Sequence, residues 1–326
     1  DSAAASGESA AEIYARVRSI KLTAFYAASQ ELDRRITELI KNEVSEEYAE
    51  GWLKEKAGFI LGSLPKILAL QNVADDKFIS TVCETGFNVG YGVLNVLIAN
   101  PQASVVSFDI FINKYSPFAV RALQEMFPDR DVTVVAGDAT VSVPNFFRKV
   151  GANTVCDMIF IDSGATPVRH ADLVNLQPHA NYNIRYRSTD PMPRLVFRGS
   201  RVVPDDSTGV SVIAEDSETS GSSSAPADSS LAALEPTLLN KEFSHVLLVD
   251  DMHWTDLRAI YEQYVQGGAI RTLDEFPVVN TPCVNCHYQM QGQLDYYVFD
   301  TDTCISNDPG FERPTFIDSV FVKSVY

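Results

Sequence analysis

Short apolar runs alternating with helix-like segments predict an α/β chain, with a doubly wound, mostly parallel sheet of seven strands behind an N-terminal helical appendage. The apolar runs are brief and rich in Val, Ile and Phe, as strands buried on both faces must be. The segments between them carry helical periodicity, and parallel neighbours need a crossover of that length. The third observation is positional: each of the first four runs ends at or next to an acidic residue.

Residues from about Ala10 to Gln71 read as helical. Ile13, Val17 and Ile20 share one face, as do Leu32, Ile36 and Ile40, with charged residues between; Gly62 and Pro65 punctuate the stretch. The expected division is an appendage or lid over residues 1–75 and a main domain over 76–326. The strands read as FISTVCET (78–85), ASVVSFDI (103–110), DVTVVAGD (131–138), CDMIFIDS (156–163) and HVLLVDDM (245–252). Helices are expected over Gly92 to Ala99, Pro117 to Met126, Val143 to Val150 and Val168 to Leu176. Runs over Ile270 to Val279 and Gln293 to Asp300 close the sheet. An insertion at about 181–238 interrupts this order. Its stretch 216–230 is acidic, Ser-rich and without aromatics, so it cannot bury enough surface to fold alone. The part before it, with Tyr182, Tyr186, Phe197, Arg185, Arg187 and Arg194, reads either as a substrate-facing flap or as a solvated excursion.

Composition is that of a globular protein, 45% hydrophobic and 21% charged. The 26 basic against 43 acidic residues leave −17, with no dense Lys/Arg stripe, so a surface that tracks nucleic-acid phosphates is not expected. No apolar run reaches the ~18 residues of a membrane-spanning helix. Asp1 to Ala11 are small and acidic, unlike a signal peptide, and no glycosylation sequon is present; the expectation is cytoplasmic. Of the five cysteines, Cys83 and Cys156 lie in apolar runs and read as core thiols. Cys283, Cys286 and His287 spell a haem-attachment pattern, but a single short match late in an α/β chain reads better as a loop thiol pair. A local disulfide there, or one including Cys304, suits an oxidising compartment.

The first strand runs into Glu84-Thr85-Gly86-Phe87-Asn88-Val89-Gly90-Tyr91-Gly92. Glycines there permit a tight turn and close backbone approach to a ligand at a helix N-terminus. Asp109 closes the second strand about 23 residues beyond Gly86, where a carboxylate meets ribose hydroxyls. Asp138 follows the third strand, beside Ala139 and within reach of an adenine amino group, and Asp162 ends the fourth. A pyrophosphate suits so acidic an edge poorly, whereas a nucleoside bearing a cationic sulfonium tolerates it. This electrostatic difference disfavours a dinucleotide-dependent oxidoreductase.

Jointly these residues resemble the class I S-adenosylmethionine-dependent methyltransferases: an acid followed by Gly-x-x-x-Gly-x-Gly, an acid closing strand two, and Gly-Asp-Ala closing strand three. The resemblance covers roughly Phe78 to Asp300, without the insertion. It implies a Rossmann-like fold and S-adenosyl-L-methionine bound by Glu84, Gly86, Asn88, Gly90, Asp109, Asp138, Ala139 and Asp162. Metal-dependent O-methyltransferases of the catechol and macrolide-sugar types place an Asp after strand four and an acidic pair after strand five. Asp162, Asp250 and Asp251 match that arrangement, which implies Mg²⁺ or another divalent cation acidifying a hydroxyl of a small-molecule or sugar acceptor.

Those enzymes carry a basic residue three positions after the strand-four Asp; here the position is Ala165. His253 is then the best candidate for the general base and His170 the second, because imidazole titrates near neutral pH. Trp254 reads either as a wall for the acceptor's ring or as core. Two alternatives remain: a metal-free N- or protein methyltransferase, and a non-catalytic S-adenosylmethionine-binding module.

Overall fold

The computed structural model describes residues 10–55, 60, 63–76, 78–181, 195–198, 201–204, 245–281, 290–299 and 320–323. Helix α1 (Ala10–Glu43) turns a stripe of Phe25, Leu32, Ile36 and Ile40 inward, all fully buried. Its outer face is laced by Arg34 between Glu31 and Glu38. Of the other expected stripe, Val17 and Ile20 stay exposed. Helix α2 (Glu46–Glu55) buries Trp52, whose Nε1 donates to Thr37 Oγ1 at 2.9 Å. Helix α3 (Leu64–Ala74) begins at Ser63, which caps it, and has a proline in its first turn, where no N–H is missed.

From there strand and helix alternate: β1 (Thr81–Thr85), α4 (Tyr91–Ala99), β2 (Ser104–Asp109), α5 (Ser116–Met126), β3 (Val132–Ala136), α6 (Ala139–Lys149), β4 (Met158–Ile161) and α7 (Thr166–Leu176). Two short strands, β5 (Leu195–Arg198) and β6 (Arg201–Pro204), pair antiparallel as a separate sheet inside the expected insertion. Then come β7 (Val246–Val249), α8 (Thr255–Gln266), β8 (Ile270–Thr281), β9 (Met290–Phe299) and β10 (Val320–Lys323).

The main sheet runs β10-β3-β2-β1-β4-β7-β9-β8. Strands β3, β2, β1, β4 and β7 form a parallel block, and the order reverses at β1 as in a doubly wound, Rossmann-like sheet. The expected count of seven strands is therefore corrected: five strands are paired in parallel, the two closing runs add β9 and β8 by antiparallel pairing, and β10 joins antiparallel to β3. Strand β10 went unseen because one short apolar run after a Pro- and Asp-bearing stretch carries no periodicity that marks it as an edge strand.

Helices α1–α3 do not sit apart from the sheet. Phe25, Leu32, Ile36, Ile40, Trp52 and Ile67 share one apolar cluster with Val93, Leu97, Val105 and Phe160. Asn95 of α4, fully buried, donates to the Ile67 carbonyl at 2.9 Å and pins α3 against the sheet layer. The opposite face packs Phe108, Phe146, Ile159, Leu173, Leu247 and Tyr261. One reading of the sequence is overturned here. Cys83 and Cys156 are not free core thiols but a buried disulfide, with Cα atoms 5.7 Å apart, joining β1 to the segment entering β4. Apolar neighbours alone do not distinguish a thiol from half of a disulfide; the pairing of β1 with β4 is what brings the two together. Cys283, Cys286, Cys304 and residues 216–230 lie outside the described residues, as do Tyr182, Arg185, Tyr186, Arg187 and Arg194.

Candidate active site

The carboxyl edge of the parallel block gathers the acidic residues. After β1, the chain turns through Gly86 at φ +97° and Asn88 at φ 52°, then enters α4 from Gly90 at φ +85°. A Cβ on Gly86 would lie 2.1 Å from the Asp162 carbonyl oxygen, so only glycine lets the turn lie against the end of β4. Glu84 is buried beneath Gly92 and accepts a hydrogen bond from Ser107 Oγ. Burial pushes its carboxyl up to about 8, opposed by the Ser107 bond and reinforced by Asp109. It supports the turn from below.

Asp109 ends β2 and is partly exposed. Its Oδ2 accepts the Asn88 N–H at 2.8 Å and its Oδ1 the Phe111 N–H at 2.6 Å, which fixes the carboxylate against the β1–α4 turn. Burial raises its pKa, and these backbone bonds oppose the rise. The Asn88 side chain accepts from Tyr115 Oη at 2.7 Å. Asp138 caps α6, accepting from the Thr140 N–H at 2.8 Å and its hydroxyl at 2.7 Å, with Ala139 buried beside it.

The register of β4 with β7 sets Ile161 opposite Val249, so Asp162 and Asp250 follow side by side. Asp251 adopts φ 60°, a left-handed conformation that costs a non-glycine residue roughly 1 kcal/mol and that Asp tolerates better than most. Its N–H donates to Asp250 Oδ1 at 2.7 Å. Carboxylate oxygens of Asp162, Asp250 and Asp251 lie within 4.8 Å of one another, so the three residues anticipated as metal ligands do converge.

Two protein cations enter the same cluster. Lys66, from α3, has its Nζ 2.5 Å from Asp250 Oδ1, 2.7 Å from Asp250 Oδ2 and 3.8 Å from Asp251 Oδ1. Arg169, from α7, approaches Asp251 at 2.8 Å and Asp162 at 3.4 Å through Nη2. It also donates through Nη1 to the Asp250 carbonyl and through Nε to the Ser163 and Gly164 carbonyls. Its guanidinium lies 4.9 Å from the centre of the Trp254 ring. Both cationic side chains are about 95% buried or more. Burial works against the charge on Lys66, but Asp250, Asp251 and Asp162 outweigh it and raise its pKa; the same balance raises Arg169. Burial, together with Asp250, drives Asp162 well above the usual carboxylate range, and Arg169 and Lys66 only partly offset this.

His253 flanks the cluster at the surface, with Nδ1 3.9 Å from Asp251 Oδ1 and its ring edge-on to Trp254. His170 is buried instead, its Nε2 2.6 Å from the Tyr264 hydroxyl across the α7–α8 interface.

No protein-family model matches the chain, and no curated protein is detectably similar to it. Solved structures similar to it include the O-methyltransferase TomG from Streptomyces achromogenes in complex with SAM, at 12% identity, covering 83% of this chain and 99% of that one, with a TM-score of 0.47. An O-methyltransferase from Bacillus cereus in complex with SAH aligns at 12% identity over 81% and 96%, TM-score 0.44. The SAH-bound methyltransferase PaMTH1 from Podospora anserina aligns at 10% identity over 82% and 94%, TM-score 0.43. At these scores the likeness decides nothing about chemistry, which rests on the residues of the site.

Sequence reasoning missed both cations. Lys66 sits in a helix assigned to the appendage, 184 residues from Asp250, and only the packing of α3 on α4 delivers it. Arg169 carried a weak signal: it lies seven residues after Asp162, on the first turn of the helix that follows that strand.

Proposed function

We propose that this chain is an S-adenosylmethionine-dependent O-methyltransferase acting on a hydroxyl of a small molecule. The observation that carries the reading is the edge of the parallel sheet. Asp109 is locked to the glycine turn by the Asn88 N–H, and one strand position across β1 the triad Asp162, Asp250 and Asp251 forms the chemical end. Asp109 would hold the ribose hydroxyls and Asp138 would face the adenine, with Gly86, Asn88, Gly90 and Ala139 shaping the walls around the nucleoside. Glu84 braces the turn. Asp162, at the junction of the two halves, would face the cationic end. S-adenosylmethionine supplies an electrophilic methyl group when bound. What the chain contributes is alignment of the acceptor oxygen with it, an electrostatic environment that favours a sulfonium, and a place for the hydroxyl proton. His253, exposed beside Asp251, would receive that proton.

Mg²⁺ is a separate question. Three carboxylates suit a hard cation in donor type and spacing. Their oxygens, however, are already bonded to Lys66 and Arg169, so the set does not fit the ion without displacing a buried charge. No step is therefore assigned to a metal.

Calorimetric titration of S-adenosylhomocysteine tests the reading. Wild-type protein should bind, and Asp109→Ala should weaken binding by roughly 10- to 100-fold, the worth of charged hydrogen bonds of about 1.5–3 kcal/mol. Folded wild-type protein that binds nothing would sink the proposal.

A further inference from the structure

We infer that Lys66 and Arg169 are the built-in counter-cations of the Asp162–Asp250–Asp251 cluster, so that the reaction runs without a divalent ion and is directed at an intrinsically acidic hydroxyl. This deepens the methyltransferase reading and rests on it for the substrate.

The argument begins with charge. Three carboxylates whose oxygens lie within 4.8 Å of one another need compensation, and a divalent ion is one source. Here the chain supplies another. The Lys66 ammonium contacts both oxygens of Asp250 and reaches Asp251; the Arg169 guanidinium spans Asp251 and Asp162. Every carboxylate of the cluster thus has a cationic partner within 4.0 Å. A divalent ion bound by these same oxygens would sit a few ångströms from two buried positive charges, where repulsion is less screened than in water.

Neither cation is a surface side chain that swings aside. Lys66 is 4% exposed and held by the cap and first turn of α3, whose Ile67 carbonyl is bonded to buried Asn95. Arg169 is 3% exposed and is also tied to three backbone carbonyls: Ser163, Gly164 and Asp250. Moving it would strand buried donors and unlink the ends of β4 and β7.

The substrate follows from the missing Lewis acid. A metal lowers the pKa of a bound hydroxyl, so an aliphatic alcohol, otherwise far too weak an acid near neutral pH, becomes a usable nucleophile. Lacking that, the acceptor must bring its own acidity. A phenolic hydroxyl, with a pKa of about 10, gives up its proton far more readily than a sugar hydroxyl does. In the transfer, the acceptor O–H bond breaks and its proton passes to His253. The oxygen forms a bond to the methyl carbon while the carbon–sulfur bond breaks, leaving a neutral thioether.

The test uses Mn²⁺ titration of the full chain followed by electron paramagnetic resonance, with chelator-treated activity as the second arm. Wild type should take up no Mn²⁺ at this site below ~1 mM, the weak limit of protein carboxylate sites. Lys66→Met should bind at least ~10-fold tighter, and Lys66→Met combined with Asp250→Asn should lose the gain. Wild type with EDTA should keep full turnover of phenolic acceptors. Wild-type Mn²⁺ binding below ~1 mM that Asp162→Asn abolishes would overturn the inference, as would a ~10-fold activity loss on chelation. A Lys66→Met protein with native circular dichroism and no added Mn²⁺ affinity would overturn the part given to Lys66. Binding of S-adenosylhomocysteine to the same metal-free samples stands separately: its absence defeats the methyltransferase reading and leaves the Mn²⁺ results to decide the cation assignment.

Discussion

Glycines of the β1–α4 turn show how a motif residue serves packing before it serves a ligand. A Cβ at Gly92 would lie 2.0 Å from Glu84 Oε1, and one at Gly86 would meet the Asp162 backbone at a φ of +97°. Gly92→Ala should therefore cost about 1–3 kcal/mol by overpacking, partly recovered in Gly92→Ala/Glu84→Ala, where the obstructing carboxylate is gone. Gly86→Ala should cost more and find no such second-site relief, because its obstacle is main chain. Urea unfolding of the three variants checks both statements. Glu84 also gives stability a pH dependence. Its folded pKa, about 8, lies above the usual carboxylate value of 4.5, so the folded state holds the extra proton between the two. That stability is present in full below about 4.5 and is lost as pH rises through about 8. Asp172, raised by burial to about 6, acts in the same direction over a lower window. Unfolding free energy should fall from pH 5 to pH 8, and Glu84→Gln should flatten the fall; a curve unchanged by that substitution would refute the assignment.

Among the elements, β1 and β4 are joined twice, by their parallel ladder and by the Cys83–Cys156 disulfide. The bridge spans 73 residues of sequence, so its loss frees an unfolded loop worth about 4 kcal/mol in the chain-entropy view. Cys83→Ala/Cys156→Ala should lower the unfolding free energy by that order, measured by equilibrium denaturation without reductant. A change under ~1 kcal/mol would mean the bridge adds nothing the core does not already supply. Strand and helix order was legible for physical reasons. Runs such as Val105-Val106 and Met158 to Ile161 are apolar at every position because both faces of a parallel sheet are covered. The pairing of β10 with β3 was not legible, since an edge partner is chosen by what remains exposed after the rest has folded.

On the scale of the whole molecule, the N-terminal helices are the decisive case. Read along the chain they make an appendage; in the fold Leu32, Ile36, Trp52 and Ile67 fill one cluster with the helices and strands of the sheet. Tyr91 donates to Asp33, and Arg121 pairs with Glu43 at 2.6 Å, so α1 is also tied down at its polar positions. Removing residues 1–75 should leave a poorly packed remainder that binds a hydrophobic dye and unfolds without cooperativity. A sharp, cooperative transition in that fragment would restore the appendage as an independent unit.

What the sequence by itself determined was local and periodic. It set the alternation of elements, the glycine turn, and the acidic residue at each strand end, because these depend on residues a few positions apart. Asp162, Asp250 and Asp251 were legible as a group because parallel strands place their carboxyl ends together. Only the tertiary structure decided what neutralises them. Lys66 and Asp250 are far apart in sequence and belong to different layers, and charge compensation depends on distances of 2.5 to 3.8 Å that no spacing along the chain encodes. The same holds for Cys83 and Cys156: their residue types and apolar settings were visible, but their bond exists because two strands of a folded sheet lie side by side.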